Sequence, residues 1–267
     1  MEGSLSGIAY ATGFAQKYAI KYYIKNKYKD KIIFNFKELN DLGNPLNIKE
    51  KYIKEFIGFK KIGKEIDKIS IKNNLLDCID IRLFGSTFCA KGETSVSIFG
   101  AVQIQYARNI WKENIINSIQ IMSPFRNEDN AEQSTLGNKS TLQEGHYSHH
   151  FSINPENTEY SLCNNDITIL KEAMRKGVTY YDSSSKAGCE NELLIWVQLK
   201  EDSKLVLPNF TPFISCDKKD GKMEYDLNKL KIELDNYPDD IKSIEIYYNN
   251  QLTAIMNPPK NYTDIKL

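Results

Sequence analysis

The three histidines of this chain, His146, His149 and His150, lie within five residues of one another. Imidazole can ligate a metal or act as a general base near neutral pH. On a strand His146 and His150 share a face and His149 points away, so a three-ligand metal site needs a bend or a carboxylate from elsewhere. Metal-independent RNA cleavage by one base, His146 or His150, asks less of the geometry. Against catalysis stands the lack of G-x-S-x-G, H-E-x-x-H and paired-carboxylate motifs. Asp80 and Arg82, two apart, suit an internal ion pair or an orienting pair better than an acid catalyst.

The remaining polar residues suit binding. Arg82, Phe84 and Gln103 on strands, with Arg108, Lys139 and the Ser-Ser-Ser-Lys turn on loops, are types that hold single-stranded RNA. Cations and hydroxyls take phosphate and 2′-OH, and flat or apolar side chains take bases.

These groups must be positioned by the stretch from Asp80 to Asn109. Period two predicts a strand at 80–84, with Ile81 and Leu83 on one face and Asp80, Arg82 and Phe84 on the other. It predicts a second strand in which Val96, Ile98, Gly100, Val102 and Ile104 face inward. Ser95, Ser97, Phe99, Ala101, Gln103 and Gln105 then face out. Gly85 and Gly100 mark a sharp turn or a close approach by a partner.

Elsewhere the spacing predicts a helix from about Thr12, then a Lys-rich helical insert over 25–76 with a turn at Asp41 to Pro45. A polar, charged stretch over 122–146 is too long and too poor in apolar residues for a buried connection. Tyr147 to Ile153 predicts a strand, and Asn165 caps a helix that ends at Gly177. Strands are expected in ELLIWVQLK, LVLPNFTPFIS, SIEIYYN and LTAIM, with a helix in DLNKLKIELDNY. Strand and helix alternate with no glycine-rich nucleotide fingerprint, so the class is α+β with a mixed or antiparallel sheet.

Composition bounds the function. The 267 residues, 41% of them hydrophobic, suffice for a real core, and no run of about 18 apolar residues indicates a membrane span. The start has no signal-peptide pattern, and five scattered cysteines with no C-x-x-C pair read as reduced thiols of a cytoplasmic protein. The net charge is zero, yet residues 1–72 hold 15 lysines against 8 acidic residues, an excess of seven positive charges. That asymmetry suits a polyanion at one end, such as target DNA, or head-to-tail stacking of copies. A protein-binding scaffold without nucleic acid also fits a neutral chain.

Taken in order, DIRLFG, IFGAVQIQYARN, NSIQIM, TLGNK, HHFSIN and SSSKAG-ENELLIWVQL resemble one family. This is the crRNA-binding backbone subunit of type I CRISPR surveillance complexes (Cascade), of the RAMP superfamily, closest to the type I-B and I-C branch. The family pattern reads D-x-R-x-F-G, G-P-V-Q-x-x-x-A-R-S, S-I-T-x-M and T-M-G-x-K, and the likeness spans roughly residues 77–200. It implies a ferredoxin-like or RRM-like palm (1–24 and 77–267), a helical finger insert (25–76) and a thumb hairpin near 117–143. Several copies would stack along one crRNA with other Cascade subunits, supporting target DNA pairing, with no catalysis and no cofactor. Residue by residue, Arg82, Gly85, Gly100, Gln103 and Arg108 would line the RNA channel. Gln120 and Met122 would sit in the thumb, and Ser184, Ser185 and Lys186 would contact phosphate. Ala101, Asn109, Gln120, Ile121 and Leu136 depart from the pattern. The family's first strand also has no counterpart ahead of Gly3, which implies a palm with an exposed sheet edge, its strand lost or supplied by another polypeptide.

Overall fold

The structure is a computed structural model that describes residues 8–56, 58–62, 65–90, 94–126, 134–160 and 162–266. It opens on a short strand, β1 (Tyr10–Ala11), and helix α1 (Gly13–Lys27). Thr12 caps α1, its hydroxyl accepting from the Ala15 N–H. Next come α2 (Ile48–Phe56), the hairpin β2 (Lys61–Ile62) and β3 (Glu65–Ile66), α3 (Lys68–Leu76) and α4 (Ile79–Phe84). The helical spacing read along 51–69 is thus interrupted, because Phe59 folds back to stack on Tyr52 with ring centroids 4.7 Å apart.

The larger correction concerns residues 80–84, which are helical and not a strand. Ile79 and Leu83 enter one core while Ile81 and the preceding Cys78 enter another. A short helix buried between two cores is apolar on more than one side, so its sequence imitates the alternation of a strand.

Strand β4 (Gly85–Ala90) pairs antiparallel with β5 (Thr94–Phe99), followed by β6 (Val102–Ile104) and β7 (Ala107–Asn109). A long hairpin, β8 (Ile116–Arg126) with β9 (Ser134–Leu142), precedes β10 (Tyr147–Ser148), β11 (Phe151–Ile153), α5 (Asn164–Tyr180) and β12 (Leu193–Leu199). The expected strand at LVLPNFTPFIS is confined to its end. A 3-10 turn at Thr211–Phe213, with proline inside it, leads into β13 (Ser215–Lys219). Then follow β14 (Lys222–Asp226), α6 (Asn228–Leu234), β15 (Ile241–Tyr248), β16 (Thr253–Met256) and β17 (Tyr262–Lys266). The sheets are small: β1-β7-β10, β6-β11, β12-β15-β17, β13-β14-β16 and three hairpins.

Helices α1 and α5 cover one side of the palm strands. Ile20 and Ile24 from α1 and Leu170 and Ala173 from α5 share a core with Val102, Ile104, Leu194 and Trp196. The cap of α5 is Cys163, in a capping box with Asp166, and not Asn165. Gly177 does not end the helix either: a Cβ there would stand 3.0 Å from the Ala19 carbonyl oxygen, so the glycine serves the close approach of α1. A second core joins Phe34, Tyr52, Ile71 and Leu75 to Phe88 and Ile98 of the β4–β5 hairpin.

The hairpin leaves and rejoins the palm at a backbone crossing. A Cβ on Gly100 would lie 2.1 Å from the Phe84 carbonyl carbon, and one on Gly85, which has φ of 74°, would lie 2.6 Å from the Gly100 nitrogen. Nothing larger than hydrogen fits at either position. Gly100→Ala should therefore lower stability by about 3 kcal/mol, read as a shift in the urea midpoint at unchanged slope.

The same joint contains an ion pair. Arg82 Nε donates to Asp166 Oδ2 at 2.9 Å and Nη2 to Oδ1 at 2.7 Å, while Nη1 donates to the Leu76 carbonyl at 2.7 Å. The pair is largely shielded, with the Asp166 side chain only 2% exposed. Asp166→Asn should lower stability by about 3 kcal/mol, because it strands a buried guanidinium, and Arg82→Met combined with Asp166→Leu should recover part of that loss.

Candidate nucleic-acid interface

Across β5, β6 and β7 the predicted two-faced pattern is realised. Ile98, Gly100, Val102, Ile104, Ala107 and Asn109 are buried; Ser95, Ser97, Phe99, Gln103, Gln105 and Arg108 are exposed. Ala101 is the exception, at 1% exposure, because the strand breaks after Phe99 and the Ala101 carbonyl accepts from the Asn154 N–H. Phe99 is 75% exposed and Tyr106 59%. Both offer flat faces; Phe99 stands on the outward face as expected, and neither is among the expected RNA-binding residues. The alternation that turned Phe99 outward is the signal that finds it.

The expected site residues separate into three groups. Arg82 and Gly85 belong to the architecture. Arg82 is engaged by Asp166 and not by Asp80, whose buried carboxylate accepts instead from the Phe34 and Asn35 N–H groups at 2.8 Å each. Burial pushes the Asp166 carboxyl up, and the Arg82 guanidinium more than offsets it, leaving it below the usual carboxylate range. Gly85 and Gly100 approach each other, so the close partner anticipated at both is the chain's own backbone.

A second group lies near the crossing. Phe84 is half-buried with the Lys17 ammonium 5.3 Å from its ring centroid, and Gln103 Nε2 donates to the Gly100 carbonyl at 2.9 Å. Arg108, central in the β1-β7-β10 sheet, is exposed and forms no ion pair among the described residues.

The third group joins the sheet to the β8–β9 hairpin. Gln120 stands opposite Asn138 and Met122 opposite Leu136 in the hairpin register, and Met122 is 68% exposed. The hairpin takes up much of the polar 122–146 stretch; residues 127–133 lie outside the described residues. Lys139 Nζ donates to the Ser184 carbonyl at 2.8 Å, bringing the hairpin onto the 183–188 turn. Ser184 and Ser185 are exposed and Lys186 is half-buried. Next to that turn His149 Nδ1 donates to the Gln105 carbonyl at 2.9 Å. Burial, with the Lys186 charge added, holds the His149 imidazole below its ordinary value. Gln105, His149, Lys186, Ser184 and Lys139 thus form a polar line from the sheet to the hairpin base.

The other histidines stand apart. His146 is buried, its Nδ1 2.7 Å from Glu192 Oε2 and its Nε2 3.5 Å from Glu144 Oε1. The Tyr225 hydroxyl donates to the same Glu192 oxygen at 2.5 Å. His150 stands edge-on to Phe210, ring centroids 6.0 Å apart, and burial lowers its proton affinity. Among the described residues no group of three His, Cys, Asp or Glu is placed to hold a metal, and no helix is long and apolar enough to cross a membrane.

At His146 burial disfavours the charge, but Glu192 and then Glu144 outweigh it, and the imidazole titrates above its ordinary value. A folded-state value above the unfolded one contributes stability that is complete below about pH 6.5 and is lost as pH rises through the folded value. His146→Gln should therefore destabilise most at mildly acidic pH and progressively less toward pH 9, measured as the difference in melting temperature across a pH series.

Comparison with known proteins agrees with this architecture. The family model described as CRISPR-associated protein Cas7 matches residues 4–236. No curated protein matches. Among solved structures, a chain of a "CRISPR RNA-guided surveillance complex, pre-nicking" is 14% identical with a TM-score of 0.53, over 97% of this chain and 88% of that one. A chain of a "CRISPR RNA-guided surveillance complex" is 12% identical with a TM-score of 0.47, over 90% and 76%. Identities this low speak to fold alone, whereas the family match runs through both cores, the hairpin and the crossing of Gly85 and Gly100. On that match the chain belongs to the family of CRISPR-associated protein Cas7.

Proposed function

We propose that this chain is a non-catalytic backbone subunit of a type I CRISPR surveillance complex, akin to the type I-B and I-C branch, that binds crRNA along the exposed face of β5 to β7 and the base of the β8–β9 thumb. The polar line from Gln105 through His149 and Lys186 to Ser184 and Lys139 carries this reading. It continues a face bearing Arg108 and the open rings of Phe99 and Tyr106. Phosphate would be met by Arg108, Lys186 and the serines, and bases by the rings and by Met122. Such a protein reads backbone and shape and leaves sequence to base pairing with target DNA.

Several copies would stack along one guide in the cytoplasm, each hairpin displacing a nucleotide, with other Cascade subunits at the ends. The Lys-rich finger is the part of the chain suited to target DNA. Three of its lysines, Lys25, Lys51 and Lys54, converge on Glu38, so that contact would fall to the others. The nuclease reading loses ground because both His146 nitrogens face carboxylates in a buried pocket.

Coexpression with a CRISPR array and companion subunits tests the reading: a large particle carrying RNA of uniform length is expected, and a small RNA-free species would contradict it. Within that particle Arg108→Ala and Lys186→Ala should each weaken RNA binding and reduce the slope of log affinity against log salt by about one. An unchanged slope would remove the residue from the interface.

A further inference from the structure

The fold has already spent most of the hydrogen-bond acceptors on the polar line from Gln105 to Lys139. Gln105 gives its main-chain N–H to the His150 carbonyl, and its own carbonyl accepts from His149 Nδ1 at 2.9 Å. The junction of β6 with β11 thus fixes the His149 ring. The Gln105 side-chain oxygen accepts from Asn209 Nδ2 at 3.1 Å, and the Ser184 carbonyl accepts from Lys139 Nζ at 2.8 Å. What is left for a ligand is donors: the remaining ammonium protons of Lys139, those of Lys186, and the hydroxyls of Ser184 and Ser185, which can turn either way.

His149 is the exception. Burial and the Lys186 ammonium on the 183–188 turn outweigh the Gln105 bond and keep the ring uncharged at neutral pH; no other charged group bears on it among the described residues. A carbonyl oxygen only accepts, so the single proton of the neutral imidazole sits on Nδ1 and Nε2 keeps a free lone pair. Nε2 forms no hydrogen bond among the described residues and is not sealed from solvent. The ring lines a cleft of about 2200 Å³ together with Lys139, Ser184, Ser185 and Lys186.

One fixed acceptor among donors narrows what a ligand must bring. A phosphodiester has no proton at neutral pH and gives Nε2 nothing to accept. Base edges carry N–H groups, but a base held by protein is withdrawn from pairing with a target strand. The ribose 2′-hydroxyl is a donor on the RNA backbone itself, close to the phosphates, and DNA lacks it. We propose, on the reading of this face as an RNA interface, that His149 Nε2 accepts a hydrogen bond from a ribose 2′-hydroxyl and so discriminates RNA from DNA.

The test is equilibrium binding of the full chain to single-stranded RNA of about 12 nucleotides and to the same strand with fluorine in place of every 2′-hydroxyl. Fluorine keeps the RNA-like sugar pucker but cannot donate. At about pH 7.5 the RNA should bind about five- to tenfold more tightly, the worth of one hydrogen bond whose acceptor otherwise stays unpaired. His149→Phe should bind the two strands equally, whereas Lys186→Ala should weaken both together and keep their ratio. The wild-type chain supplies a second readout that needs no variant. As the pH falls from about 7.5 to about 5 the ring gains a proton, Nε2 becomes a donor, and the ratio should shrink toward one. A phosphate beside Lys186 favours that proton, so the bound ring titrates no lower than the free one. A ratio near one in the wild-type chain would overturn the proposal and leave the RNA interface standing. So would a ratio that survives His149→Phe, or one that fails to shrink by about pH 5. Binding of neither strand would overturn the RNA interface itself, and the His149 contact with it.

Discussion

The guanidinium of Arg82 lies across the Asp166 carboxylate, and through it the six-residue helix α4 is fastened to the first turn of α5. Two residues earlier Asp80 holds the 34–35 backbone with both of its oxygens. Around these two carboxyl groups the apolar side chains divide, Ile79 and Leu83 to the palm and Ile81 to the second core. The relative placement of the two cores therefore depends on polar groups that water hardly reaches. Such groups tolerate few alternatives, because a partner lost in the interior leaves an uncompensated charge. The crossing of Gly85 and Gly100 follows at once, since the chain leaving α4 must pass the chain returning to β6 with backbone touching backbone.

The distribution of the remaining charges explains how a chain with 35 basic and 35 acidic residues can present a face to a polyanion. Much of the positive charge is answered internally. Glu38 gathers three lysines, which outweigh its burial and hold its carboxyl down to about 2. Lys171 is matched to Glu245, and Glu172 accepts from the Tyr23 and Tyr28 hydroxyls and from Lys176. Arg108 and the 183–186 turn stand outside these arrangements among the described residues. The sign of a local surface, and not the net charge, decides what it attracts at distances within a Debye length.

Much of this was legible in the sequence, and the failures have physical causes. Alternation along 95–105 identified both faces of β5 and β6, because one side of each strand is buried and the other is not. The same rule misread 80–84, where a helix is buried on opposite sides by different cores. The cap at Thr12 was visible as a residue type; the cap at Cys163 was not, since a thiol seldom takes that place. Nothing local to Arg82 reveals Asp166, 84 positions away. The hairpin over 116–142 came only from family likeness, for its strands expose even their isoleucines, Ile119 and Ile121 being about half exposed, and a strand pair without a buried side leaves no periodic trace.

The touching glycines have a consequence for how such a molecule can vary. The segment from Gly85 to Gly100 begins and ends at one point in space, so its anchors stay fixed whatever happens beyond the Ala90–Thr94 pair. Closing a loop whose ends already meet grows more expensive only with the logarithm of its length. Insertions between Ala90 and Thr94 should therefore cost little, while the strands anchored at Gly85 and Gly100 keep their places.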